Sequence, residues 1–80
     1  MTMLTDMDRK VLEILNKKLL TTKTELAMAL NKEDFDGTEI NIQRLKEMGY
    51  VEKVESLGIV FVITQRGIRA LREMETGPLQ

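Results

Sequence analysis

The sequence contains no cysteine and no histidine, two residue types that often carry chemistry in small proteins. Without them the chain has no disulfide, no thiol nucleophile, none of the usual zinc ligands and not the commonest general base. It also has no glycine-rich phosphate loop and no H-E-x-x-H motif. We therefore expect no enzymatic activity, no cofactor and no metal site.

Long apolar runs are missing as well. No stretch approaches the ~18 apolar residues that a membrane-spanning helix requires. The N-terminal segment, with Asp6 and Asp8, has no basic and then apolar leader pattern. These observations predict a soluble, cytoplasmic protein that makes no contact with a membrane.

Neither sign of charge is in clear excess. Twelve basic and thirteen acidic side chains leave a net charge of −1, so any contact with nucleic acid needs a local basic patch. Eighty residues predict one domain over residues 1–80, ordered over about 5–75, with a frayed tail at 76–80. A core of this size contributes only ~3–5 kcal/mol, which favours stabilisation by a second copy of the chain.

Three capping signatures divide the first half of the chain. In each, a threonine or aspartate is followed three residues later by a carboxylate, and an apolar stripe at helical spacing comes next. The pairs are Thr5 with Asp8, Thr22 with Glu25, and Asp36 with Glu39. They predict helices over residues 6–17, 23–31 and 37–48. The third ends before Gly49, which suits a left-handed helix cap.

The pattern then changes to β-branched residues over 51–56 and 59–63, on either side of Leu57 and Gly58. This predicts a two-stranded hairpin followed by a last helix over 65–75, which Thr64 caps. If Leu57 and Gly58 form the loop, alternate residues face the core. The expected inward residues are Val54, Ile59, Phe61 and Ile63, and the expected outward ones are Val60 and Val62, beside Lys53 and Glu55.

Two segments of the second half resemble a known family. The run RLKEMGYVEK, residues 44–53, is similar to the stretch that ends the recognition helix in MarR and ArsR-like regulators. FVITQRGIRAL, residues 61–71, resembles the stretch that leaves the wing of these proteins. The resemblance implies a winged helix-turn-helix fold, mainly α with a β-hairpin (α+β), in the order helix, helix, helix, hairpin, helix.

The family resemblance also implies a function, that of a transcriptional regulator binding double-stranded DNA, usually as a homodimer. Its third helix would enter the major groove and its wing would touch the backbone. Gln43 and Arg44 are the candidates for base contacts, since glutamine pairs well with adenine and arginine with guanine. The full set of candidate DNA contacts is Thr22, Lys23, Thr24, Thr38, Gln43, Arg44 and Lys53.

The chain departs from the family pattern at the start of the third helix and in the wing loop. Glu39 and Ile40 stand where the family typically has a serine or threonine and an arginine. Ser56, Leu57 and Gly58 replace the basic residue that the wing loop often carries. Local roles also stay open: Asp36 and Glu39 as helix caps, and Arg44 as a surface partner of Glu47 or Glu39.

The departures support an alternative function, a winged-helix module that docks another protein. Its candidate surface is apolar and consists of Ile40, Leu57, Val60 and Val62. Outward Val60 and Val62 would equally serve a homodimer. A third helix that begins differently would instead bury Ile40, and the sequence leaves both orientations open.

Overall fold

A computed structural model describes residues 4–18, 20–55 and 58–76. It is a mixed α+β structure in which four helices accompany one antiparallel hairpin. In chain order the elements are α1 Asp6–Lys18, α2 Lys23–Lys32, a 3-10 turn Gly37–Glu39, α3 Ile42–Glu47, β1 Val51–Val54, β2 Val60–Ile63 and α4 Gln65–Thr76. Thr76, predicted to be frayed, belongs to α4, and residues 77–80 lie outside the described part.

The first two helices begin at the predicted capping boxes. The Asp8 amide donates to the Thr5 hydroxyl oxygen at 3.0 Å, and the Thr5 amide donates to the Asp8 carboxylate at 2.9 Å. Thr22 and Glu25 repeat this exchange at the start of α2, with both distances 3.1 Å. Each box satisfies amide groups that a helix start would otherwise leave unpaired, so these starts are encoded locally.

The third helix is not the continuous helix predicted over residues 37–48. Asp36 caps only the 3-10 turn, and the chain is extended at Ile40, with φ −62° and ψ 132°. Asn41 then caps a new helix by accepting the Arg44 amide at 3.1 Å, so α3 has six residues. The break has a physical reason: it lets Ile40 turn towards the core, against which it packs half-buried. Gly49 ends the segment with the predicted left-handed conformation, φ 82°.

The hairpin register differs by one residue from the prediction. A two-residue loop at Leu57 and Gly58 would pair Val54 with Phe61, whereas the structure pairs Val54 with Val60 and Lys53 with Phe61. A slip of one residue moves every β1 side chain to the opposite face relative to β2. Val54 therefore shares the outer face with Val60 and Val62, while Lys53 joins the Phe61 face. The prediction that Val54 faces the core was wrong.

Of the other hairpin predictions, some agree with the structure and one does not. Phe61 is buried and Ile63 packs against the core, as predicted, but Ile59 lies outside β2 and is 53% exposed. Leu57 lies outside the described residues. β2 also pairs with the segment before α2, since Thr21 and Phe61 exchange two backbone hydrogen bonds at 2.8 and 3.2 Å. This bridge fixes the start of α2 beside the hairpin.

In the described part of the chain, one apolar core joins the four helices and both strands. Its fully buried side chains include leucines from α1, α2 and α3: Leu12, Leu15, Leu26, Leu30 and Leu45. α4 closes the core with Leu71 and packs closely, at the buried Gly67, on Tyr50, the residue before β1. A Cβ atom there would collide with the Tyr50 carbonyl, and one at Gly37 would lie 2.5 Å from the Ala27 carbonyl oxygen. Glycine is needed at both close approaches.

Candidate nucleic-acid interface

An open groove of about 240 Å³ lies where α2, α3 and the hairpin meet. Its lining combines basic, amide and apolar side chains from these three elements. They are Lys23, Ile40, Asn41, Ile42, Gln43, Lys46, Lys53 and Phe61. The groove thus brings together three of the sequence-predicted DNA contacts, Lys23, Gln43 and Lys53, and adds Lys46.

Gln43 and Lys46 reach the groove from successive turns of α3. They are three residues apart, so their side chains lie on the same side of the helix. Gln43 is exposed, and its amide nitrogen donates to the Glu47 carboxylate at 3.2 Å. Lys46 is half-buried and was missed by the sequence analysis, although its spacing from Gln43 was a usable signal.

Lys53 reaches the groove because of the hairpin register. Opposite Phe61, it stands on the face of the hairpin that meets α3. Its ammonium group lies 3.0 Å from the Glu55 carboxylate, and the two side chains are 36% and 62% exposed. Such a surface pair contributes little, so the ammonium group remains available to an anionic ligand.

Lys23 is the first residue of α2 and is exposed. The neighbouring threonines, Thr22 and Thr24, lie outside the groove. Thr22 is half-buried and its hydroxyl oxygen accepts the Glu25 amide, so its local role is that of a helix cap. Thr24 is exposed, but neither threonine lines the groove. Of this predicted group, only Lys23 contributes to the groove.

Thr38 is bound to the acidic turn before α3. Its hydroxyl donates to the Asp36 carboxylate at 2.6 Å, and its backbone amide donates to the same oxygen at 3.0 Å. The hydroxyl bond is the larger of two causes that lower the pKa of Asp36, and the backbone bond is the second. Neither residue lines the groove, so these groups form a local cap beside it.

Arg44 has a structural partner that the sequence analysis did not consider. Its guanidinium donates to the buried carboxylate of Asp8 and forms an ion pair between α3 and α1. The two residues line a neighbouring pocket with Thr5, Met7 and Asn41, and of these only Asn41 also lines the groove. Arg44 is therefore not part of the groove that Lys23, Lys46 and Lys53 line, which we call the lysine groove. A base contact by Arg44 would compete with its ion pair to Asp8.

The apolar surface suggested for a partner protein is also altered. Ile40 was one of its residues, but it packs half-buried against the core and also lines the groove. Val60 and Val62 are half-buried on the outer hairpin face, together with Val54. Of the two orientations that the sequence left open for Ile40, the structure has the half-buried one, because α3 begins two residues after it.

Over residues 4–18, 20–55 and 58–76, no group of three or more acidic, histidine or cysteine side chains is placed to hold a metal ion. In the same part of the chain, no helix is both long and apolar enough to cross a bilayer.

Comparison with known proteins provides no relative from which a function could be transferred. No protein-family model matches the sequence, and no curated protein or solved structure matches it significantly. A function must therefore be inferred from the chain's own residues.

Proposed function

We propose that this chain is a winged helix-turn-helix protein that binds double-stranded DNA as a homodimer, in the manner of a transcriptional regulator. One observation carries the proposal. Lysines from three separate elements, Lys23, Lys46 and Lys53, converge on the groove that contains Gln43. A chain with a net charge of −1 has no general attraction for DNA, so a local concentration of positive charge supports a specific surface.

The chemistry of the groove suits DNA. Lysine side chains bind phosphate oxygens and fix the position of a protein on the duplex without reading its sequence. Gln43 can make the paired hydrogen bonds that recognise adenine in the major groove, once it releases Glu47. In this proposal α3 reads bases through Gln43, while Lys23, Lys46 and Lys53 hold the two backbones.

The acidic start of the predicted third helix is less of an obstacle than the sequence suggests. Asp34 and Asp36 precede the 3-10 turn, and neither lines the groove. Because α3 begins only at Ile42, its first turn carries no acidic residue. The helix proposed to approach the DNA therefore presents Gln43 and Lys46 without an acidic cap.

A salt titration of binding to mixed-sequence duplex DNA tests the proposal. The logarithm of the binding constant should fall with the logarithm of salt concentration, by ~0.9 for each phosphate contact. Lys46→Ala should reduce this slope by about 1 and weaken binding to all sequences alike. Lys18→Ala is the matched control, since Lys18 is an exposed lysine outside the groove. Absence of binding to any duplex at low salt, or equal losses in the two variants, would contradict the proposal.

Dimer formation is a separate part of the proposal. The outer face of the hairpin carries three half-buried valines, Val54, Val60 and Val62, which do not belong to the core. A second copy could cover them and add the apolar burial that a small domain lacks. Sedimentation should show a dimer at high micromolar concentration, and Val62→Lys should convert it to a monomer. A monomeric wild-type chain would refute this part alone.

A further inference from the structure

A second groove lies on another part of the surface, between α1 and α2, and has a volume of about 370 Å³. Its floor is apolar and includes the buried Ile14 and the half-buried Ala29. Met28 stands at its edge and is 58% exposed, one of the most exposed large apolar side chains described. An apolar floor with an exposed methionine suits contact with another protein, since methionine adapts to irregular surfaces.

Three lysines surround this floor: Lys17 and Lys18 from the last turn of α1, and Lys32 from the last turn of α2. Their positions suit the negative ends of the two helix dipoles. Within the described residues none of the three has a carboxylate partner. The rim therefore presents three positive charges that the described fold does not neutralise.

Two carboxylates also line the groove, but both have structural roles. Glu25 completes the capping box of α2 by accepting the Thr22 amide. Glu33 lies 3.2 Å from the ammonium group of Lys10, whose pKa is raised by hydrogen bonds first to Glu13 and then to Glu33. Lys10 offsets the charge of Glu33, and the three lysines outnumber Glu25, so the rim keeps a net positive charge.

We propose that the α1–α2 groove docks an acidic, amphipathic segment of a partner protein. Apolar side chains of the segment would cover Met28 and contact Ile14 and Ala29, and its carboxylates would pair with the lysines. Charge complementarity selects this occupant, because a basic or neutral segment would leave the cationic rim uncompensated.

The position of this groove permits docking while the lysine groove is occupied. The two grooves share no lining residue. At ~100° per residue, Lys32 and Lys23 lie about half a turn apart around α2. A partner bound at Met28 would thus approach α2 from the side opposite Lys23. The proposal does not depend on DNA binding, and Met28→Glu should leave any DNA affinity unchanged.

The proposal is tested by selecting, from a displayed library of random 12-residue peptides, those that bind the whole chain. The enriched peptides should carry more acidic than basic residues, together with apolar side chains. Titration by fluorescence anisotropy should show at least ~10-fold weaker binding to Met28→Glu and weaker binding at high salt. Lys32→Glu should also weaken peptide binding. It replaces Met28→Glu as the test of this groove if Met28→Glu fails to fold. Ile59→Glu is the matched control, because Ile59 is similarly exposed but lies on the hairpin. The peptide affinity of this variant should stay within ~2-fold of the wild-type value.

Several results would overturn the proposal. Enrichment of basic or neutral peptides would contradict the charge argument, and no enrichment at all would contradict docking of a peptide segment. Peptide binding that survives both Met28→Glu and Lys32→Glu would place the site elsewhere, and a loss only in Ile59→Glu would place it on the hairpin. The chain could instead bind phosphatidylserine vesicles without enriching any peptide. If Met28→Glu abolished that binding, the groove would be assigned to a lipid surface.

Discussion

The guanidinium of Arg44 donates a hydrogen bond to the carboxylate of Asp8, which is only 5% exposed. The same carboxylate oxygen accepts the Thr5 amide, so one buried oxygen joins the start of α1 to α3. A buried carboxylate is costly unless hydrogen bonds and an opposite charge compensate it. Arg44 is thus needed for the position of α3, whatever the helix binds.

Arg44→Ala should therefore destabilise the fold. The substitution leaves the Asp8 carboxylate buried without its cation, and we expect a loss of about 2–3 kcal/mol in the free energy of unfolding. This is below the usual cost for a fully buried pair because the Arg44 side chain is one-third exposed. Urea denaturation followed by circular dichroism measures the loss.

A double-mutant cycle provides the control for Arg44. Asp8→Asn with Arg44→Ala should cost less than the two single changes added together, because neither charge is then stranded. Arg69→Ala, at an exposed arginine of α4, should change stability by less than ~0.5 kcal/mol. Additive losses in the cycle would show that the ion pair does not couple the two helices.

Ile40 and Ile59 form a matched pair of isoleucines with opposite surroundings. Ile40 packs against the core, whereas Ile59 is 53% exposed. Ile40→Ala should lower the free energy of unfolding by about 1–2 kcal/mol, and Ile59→Ala by less than ~0.5 kcal/mol. Urea denaturation of both variants is the measurement, and equal midpoints would mean that Ile40 does not contribute to the core.

Gly67→Ala should destabilise the protein although alanine favours helices. At an unobstructed helical position, replacing glycine with alanine stabilises the protein by up to ~1 kcal/mol. Here the new methyl group would collide with the Tyr50 carbonyl and with Ile63, so we expect a net loss of about 1–3 kcal/mol. Gln65→Ala, at an exposed position of the same helix, is the control for helix propensity. A lower stability loss for Gly67→Ala than for Gln65→Ala would contradict the close packing.

The turn at Asp36 predicts a pH effect. Two hydrogen bonds from Thr38 hold the pKa of Asp36 below its ordinary value, and the bond from the hydroxyl is the larger cause. A lowered pKa in the folded state means that the ionised carboxylate stabilises the fold at pH values above the ordinary pKa. This contribution is lost as the pH falls through the ordinary pKa to the lower, folded-state pKa.

Thr38→Val tests the cause of that pKa shift. The variant keeps the backbone bond but removes the hydroxyl donor, so the pKa of Asp36 should rise part of the way towards its ordinary value. Carboxyl carbon chemical shifts followed by NMR against pH measure it. Thr24→Val, at an exposed threonine of α2, should leave the Asp36 titration unchanged. An unchanged pKa in Thr38→Val would rule out the hydroxyl as the main cause.

The predicted parts that agree with the structure depend on signals a few residues apart. The boxes at Thr5 and Thr22 gave the starts of α1 and α2, and Gly49 marked the end of α3. Capping bonds link residues three apart, and apolar spacing identifies the buried face of the same helix. These signals carry enough information to locate a helix without knowledge of its neighbours.

The predictions that failed depended on contacts between distant segments. The signature at Asp36 and Glu39 could not show that a second cap at Asn41 would begin α3 anew, because the break depends on Ile40 packing into the core. The hairpin register likewise depends on which strand face meets the helices. A one-residue difference there decided whether Lys53 faced outwards or joined the groove.

By itself, the sequence determined the order of helices and strands, the caps of α1 and α2, and the absence of cysteine and histidine chemistry. It also determined the cap of α4, where the Thr64 hydroxyl oxygen accepts the Gly67 amide at 3.0 Å. Only the tertiary structure decided that Lys23, Lys46 and Lys53 surround one groove and that Arg44 pairs with Asp8. The reason is physical: caps and helical periodicity act within a few residues, whereas a binding surface arises where segments far apart in the chain are brought together by burial of a common core.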